Sequence, residues 1–210
     1  MADWATISSF ATAGGTFVLA LATYSAVRSS NRSARTAERS LLAGVRPLLL
    51  ASRTQDPDQK ITFVDQHFVH IAGSGGSAEV TDEAIYLAMS LRNVGTGLAI
   101  LHGWVVHPEQ LTSAVPHPAL EDFHALTRDI YVAAGDIGFW QGALRDPHAE
   151  EFGPVRRAIE SRGIMTLDLL YGDIEGGQRM ISRFGLMART DGTWLANPAR
   201  HWNIDRPDPR

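Results

Sequence analysis

Two hydrophobic patterns divide the chain. From Trp4 to Val27 the sequence WATISSFATAGGTFVLALATYSAV carries no charged residue. At ~1.5 Å per residue, a run of that length crosses a ~30 Å hydrocarbon core as one helix. Trp4 and Tyr24 lie near its two ends, where amphipathic aromatics sit at a membrane interface. The expectation is a transmembrane helix over residues 1–27. The run is rich in Ala, Gly, Ser and Thr, and only Phe17 to Ala22 is strongly apolar. From Pro47 the pattern changes to short apolar runs separated by Gly, Asn, Asp and Pro. Ala84 to Arg92 alternates, with Ile85, Leu87, Met89 and Leu91 on one face. Strands are expected at 48–52, 60–64, 67–71, 84–92, 98–107, 129–132, 137–144, 164–173, 178–188 and 194–197. Helices are expected near 118–127 and 148–161, and the glycine-rich stretch 72–78 reads as a flexible tip. Many short strands joined by turns predict a mainly β domain over 46–205, an antiparallel immunoglobulin-like β-sandwich with two short helical insertions. Residues 206–210 read as an extended tail, since prolines block helix and sheet alike.

Pairing across Glu175-Gly176 sets a definite register for the last hairpin. Tyr171 falls opposite Met180, Leu169 opposite Ser182 and Leu167 opposite Phe184 on the core face. Asp168 falls opposite Arg183 on the other face, as an exposed pair.

Charge sharpens the division. The net charge of −4 splits into −1 for residues 1–27, +4 for residues 28–46 and −7 for the remainder. Arg28, Arg32, Arg35 and Arg39 recur at i, i+4, i+7 and i+11, which returns to within ~20° of the start on a helix. The expectation is a basic juxtamembrane helix over 28–45 whose arginine stripe meets anionic headgroups or a partner. Every basic residue flanking the span is C-terminal to it. The positive-inside rule then puts the N-terminus outside and the C-terminal domain in the cytoplasm, at the inner membrane. Within the span, Ser8, Thr12, Thr16 and Ala20 recur every fourth residue, and Ala11 and Gly15 form a second small pair. Small faces let helices approach closely, so self-association or docking against another membrane protein is expected there. The acidic remainder argues against nucleic acid as a partner, because phosphate contacts dominate that affinity. There is no Cys, hence no disulfide and no thiolate chemistry.

Chemistry-bearing motifs are thin. Asn93-Val-Gly-Thr-Gly97 lacks a third glycine and a following helix, so it reads as a tight turn between strands and not as a phosphate cradle. The eight histidines show no ligand spacing: His67 and His70 diverge on a strand, as do His102 and His107. Asp168, Asp173 and Glu175 cluster about one hairpin without a separate nucleophile. Ser74 and Ser77 lack a nucleophile elbow. Trp104, Trp140 and Trp194 read as core residues. No cofactor, metal site or catalytic residue is expected.

The stretches AGGTFVLALATYSAVRSSNRSARTAERSLLAGVRP (13–47), LRNVGTGLAILHGW (91–104), LLYGDIEGGQRMISRF (169–184) and HWNIDRP (201–207) together resemble uncharacterised single-pass membrane proteins of GC-rich bacteria. Those proteins have an anchor, an arginine-rich helix and a β-domain. The resemblance implies anchoring and fold class and brings no activity. The functional expectation is an interaction module or accessory subunit of an inner-membrane complex, without catalysis of its own. The alternatives are an extracytoplasmic ligand-binding domain of reversed topology and a tethered enzyme.

Overall fold

The structure is a computed structural model. It describes the backbone of residues 4–207, and their side chains except those of 4–16, 18, 39 and 43. The chain forms two compact units, residues 1–43 and 44–210. The first is a single helix, α1, Trp4–Gly44. It runs for 41 residues without an internal proline, about 60 Å at the helical rise. Arg46-Pro47 ends it, because the residue before a proline avoids helical geometry. The expected transmembrane span finds no support in this helix: among the described residues none is long and apolar enough to cross a membrane. The physical reason is dilution, since Ala, Gly, Ser and Thr contribute little transfer free energy around the short apolar block at Phe17 to Ala22.

The second unit is mainly β. Its strands are β1 Leu49–Ala51, β2 Gln59–Thr62, β3 Phe68–Ile71, β4 Gly75–Val80, β5 Ile85–Asn93, β6 Ala99–His107, β7 His124–Val132, β8 Ile137–Leu144, β9 Met165–Gly172, β10 Met180–Ala188 and β11 Trp194–Asn203. One helix, α2 Phe152–Glu160, separates β8 from β9. Nine strands make one continuous antiparallel sheet in the order β1-β5-β4-β11-β10-β9-β6-β7, with β8 on β5. The sheet curls into a half-barrel. Two facing sheets of an immunoglobulin-like sandwich are not what the ladders draw, because β4 joins β11 and makes the hydrogen bonding continuous. β2 and β3 form a separate hairpin.

The concave interior is the main core. Ile85, Leu87, Met89 and Leu91 of β5 meet Leu167, Leu169 and Tyr171 of β9 and Phe184 and Leu186 of β10, with Phe152 and Val155 from α2. The convex face is covered as well, in two places. The β2–β3 hairpin packs Ile61, Val69 and Ile71, with Phe63 beside them, on Tyr86 and Ala88 of β5. Leu120 and Phe123, from the segment after β6, pack beside Leu170, Ile181 and Trp202. β5 and β9 are therefore buried on both faces.

Three segments depart from the expected elements. Residues 118–127 hold only a short 3-10 turn, Leu120–Asp122, and then enter β7. The glycine stretch is not a flexible tip: Gly75 and Gly76 begin β4. A Cβ on Gly75 would lie 2.8 Å from the Ala72 carbonyl oxygen, so the glycines serve close backbone approach. β11 runs six residues beyond the expected 194–197, to Asn203. Of the tail, Arg206 and Pro207 are irregular and 208–210 lie outside the described residues.

Asn93 is the junction of this fold. Its side chain is fully buried. Its Oδ1 accepts from Leu48 N (3.1 Å) and Gly95 N (3.0 Å). Its Nδ2 donates to Gly97 O (2.7 Å) and Val132 O (3.0 Å). The turn after it lies directly on the entry segment, where a Cβ on Gly97 would fall 1.7 Å from Val45 O and one on Gly95 2.4 Å from Arg46 O. Glycine is required there by space, not by a phosphate.

Asn93→Ala orphans two part-buried donors and two buried acceptors, and is expected to lower unfolding free energy by about 3 kcal/mol. Asn93→Asp keeps the acceptor but turns an oxygen toward two carbonyls, and should also destabilise. Urea unfolding of the three chains checks this, and near-equal midpoints would remove Asn93 from its place as junction.

Candidate functional site

α1 offers the most exposed patterned surface. Phe17, Leu19, Leu21, Tyr24 and Val27 are all exposed. At ~100° per residue they are distributed around the helix, not confined to one face. Phe17, Leu21 and Tyr24 nevertheless share the stripe that continues as Arg28, Arg32 and Arg35, so one line passes from apolar to basic along the axis. The three described arginines are exposed. Arg39 continues the line in the backbone, but its side chain lies outside the described ones. The side chains of Ser8, Ala11, Thr12, Gly15 and Thr16, expected to support helix association, also lie outside them. Further along, hydroxyls bond back into the helix: Ser25 Oγ to Ala22 O (2.8 Å), Thr36 Oγ1 to Arg32 O (3.0 Å) and Ser40 Oγ to Thr36 O (3.0 Å). Such back-bonding removes donors that would otherwise need water.

The β-domain holds two buried polar clusters. The hairpin register is the expected one, with Asp168 paired to Arg183. The expected exposure of that pair is wrong: both side chains are fully buried. The guanidinium forks onto the carboxylate with two 2.8 Å bonds. Its remaining donors reach Thr112 O (3.2 Å), Val115 O (2.9 Å) and Pro116 O (3.1 Å), and Trp202 lies against its plane. Arg183 thus ties the segment after β6 across the sheet. His107 Nε2 stands 3.6 Å from Asp168, beyond hydrogen-bond reach.

The second cluster runs Leu49 N to Tyr171 Oη (3.2 Å), Tyr171 Oη to Ser182 Oγ (2.8 Å) and Ser182 Oγ to His201 Nδ1 (2.6 Å). A serine beside a histidine has the grammar of a nucleophile and base. Ser182 is fully buried, and its hydroxyl is held between Tyr171 and His201. Burial raises the Tyr171 pKa, so the phenol stays protonated. The chain of hydroxyls fastens β1 to β9 and β10.

Other titratable groups make local ties, of which the Asp173 one is buried. Asp173 accepts from Gly177 N (3.0 Å) and Gln178 Nε2 (2.9 Å) and closes the hairpin turn. Tyr86 Oη donates to Asp65 (2.8 Å), and His67 stacks on the Tyr86 ring with centroids 4.0 Å apart. Burial pushes Asp65 up, but Tyr86, the His67 amide and Arg145 outweigh it and hold the carboxyl below its usual value. Arg179 holds Asp205 down, and Arg92 holds Asp56 down. His102 is lowered, first by burial and then by Arg179. Among the described residues no group of three or more His, Asp or Glu side chains is placed to hold a metal. No protein-family model matches the chain, and no curated protein matches it.

Two outcomes follow from these clusters. Arg183→Met leaves a buried carboxylate without its cation and is expected to cost about 3–5 kcal/mol. Adding Asp168→Leu should recover the larger part, while limited proteolysis still cuts within residues 111–117 because the loop has lost its tie. A double variant as unstable as the single one would contradict the charge argument. The second outcome concerns pH. A histidine and three carboxylates with lowered folded pKa values bind fewer protons folded than unfolded, so stability falls as pH falls. The loss begins near the ordinary histidine range through His102, and deepens below the ordinary carboxylate range through Asp56, Asp65 and Asp205. In urea midpoints measured against pH, His102→Gln should remove the first step and leave the second, whereas an unchanged profile would discount His102.

Proposed function

We propose that this protein is a membrane-associated interaction module: α1 tethers the β-domain to the inner membrane, and the module serves as an accessory subunit without catalysis of its own. The observation that carries the reading is the exposed stripe from Phe17, Leu21 and Tyr24 into Arg28, Arg32 and Arg35. Large apolar side chains exposed over roughly half of a helix's circumference call for an apolar medium or a partner. Arginines just beyond them suit anionic headgroups, at about 1 kcal/mol each close to the surface.

The modest hydropathy of α1 supports an accessory role. A helix too polar to cross lipid alone is stabilised when another helix covers its small and hydroxyl-bearing face, here Ser8, Ala11, Thr12, Gly15 and Thr16. Ser25, Thr36 and Ser40 already spend their hydroxyl protons inside the helix. The basic flank on the C-terminal side favours an N-terminus outside and a β-domain in the cytoplasm. The full burial of Ser182 and of Asp168 favours an interaction role over a tethered enzyme.

The test keeps charge count and moves its position. Exchanging Arg35 with Thr36 and Arg39 with Ser40 turns two arginines ~100° off the stripe. Flotation of the full chain with anionic vesicles should weaken by roughly tenfold or more, two arginine contacts being worth about 2 kcal/mol. Equal flotation of both chains, or equal binding to neutral vesicles, would overturn the role given to the stripe.

A further inference from the structure

The half-barrel has a seam. β7 and β8 are consecutive strands joined by the short connection 133–136, and they run close to each other. Among the described residues, however, β7 is laddered only to β6 and β8 only to β5. At the connected end the two are close: Asn93 Nδ2, at the end of β5, donates to Val132 O, and Gly138 of β8 sits under the Val132 side chain. Away from it they part. A cavity of about 160 Å³ opens there, lined on one side by His124, Ala125, Leu126 and Thr127 and on the other by Gln141 and Gly142.

We infer that this seam is a strand-addition site, taking an extended peptide segment that carries a carboxylate. Several observations converge on it. Two strand edges that face each other without a ladder leave backbone donors and acceptors for a third strand. The cavity is smaller than the ~300–1,000 Å³ of small-molecule sites and suits one side chain of an added strand, whose backbone lies along the strand edge. The floor is low, because Gly142 lies against the indole edges of Trp104 and Trp140, where a Cβ would fall 2.7 Å away. Trp140 is fully buried, and its Nε1 has no hydrogen-bond partner. The charge of the occupant comes from the rim. His124 is already met by Glu151 (3.0 Å) and Arg145 by Asp65 (3.3 Å). Arg128 reaches across the seam to the neutral Gln141 Oε1 (3.1 Å) and lies over the Phe139 ring. An arginine held by an amide, and not by a carboxylate, exchanges that bond for a stronger charge-assisted one. This inference goes beyond the tethering proposed above, since it is read on the β-domain whether or not α1 binds vesicles.

The test uses the full chain and a labelled seven-residue peptide of alternating threonine and valine with a central glutamate, beside the same peptide with a central lysine. Fluorescence anisotropy should show the glutamate peptide binding about tenfold tighter or more, with Arg128→Glu reversing the preference and Arg128→Gln abolishing it. Hydrogen exchange should slow at amides within 124–129 and 139–143. No binding at about 1 mM peptide, equal affinity for both peptides, a preference untouched at Arg128, or protection confined to another edge such as β1 would each overturn it.

Discussion

The buried carboxamide of Asn93 is the constraint on which the β-domain depends. One side chain satisfies an N–H of the entry segment, an N–H and a C=O of its own turn, and a C=O at the end of β7. Without these bonds the two carbonyls lose a buried partner and the two N–H groups a part-buried one; a fully buried orphan costs about 1–3 kcal/mol. Gly95 and Gly97 complete the arrangement by letting the turn lie on Val45 to Leu48 at a distance no side chain permits. Leu49, fully buried, then begins β1 on the edge of β5 and reaches Tyr171 through its N–H. The consequences are the site of chain entry, the end of β5, and the closing of the β7–β8 connection.

The same logic explains why both faces of the sheet are covered. Alternation along β5 and β9 sends every second side chain outward, and those outward residues include Tyr86, Ala88, Asp168 and Leu170. The β2–β3 hairpin takes the first pair. The segment after β6 takes the second, and it is held by a guanidinium whose donors are divided between a carboxylate and three carbonyls. A buried pair of this kind adds less stability than its bond count suggests, since both ions must be desolvated. Its gain is definition: it fixes a segment that carries little regular structure.

Much of the fold was legible in the sequence. The register of β9 on β10 followed from the turn at Glu175-Gly176 and the period-two pattern, and it is the observed one. The strands around Ala84 to Arg92 and Leu98 to His107 were visible for the same reason. What alternation could not convey was tertiary cover. A strand polar on one face looks solvated, so Asp168 and Arg183 read as exposed until the loop that covers them is seen. Glycines at 73, 75 and 76 read as a flexible tip because composition does not distinguish a mobile loop from a strand that needs bare backbone. The continuity of the sheet was equally hidden, since it rests on the short β4–β11 contact at Gly75 and Gly76. On the helix, the arginine stripe was plain from spacing alone. Its extension into Phe17, Leu21 and Tyr24 is hidden in the sequence, because an uncharged run reads as a span and not as a face. The seam between β7 and β8 had no sequence signal, as a hairpin and a splayed pair share one pattern.

In the proposed function the two units divide the labour: α1 is to meet the membrane, and the β-domain to keep its fold. Hydrogen exchange of the full chain, with and without anionic vesicles, tests this most directly. The account predicts slowed exchange confined to the helix around residues 17–39, with the amides of β1 to β11 unchanged. Protection gained in the β-domain while the helix exchanges as before would contradict it.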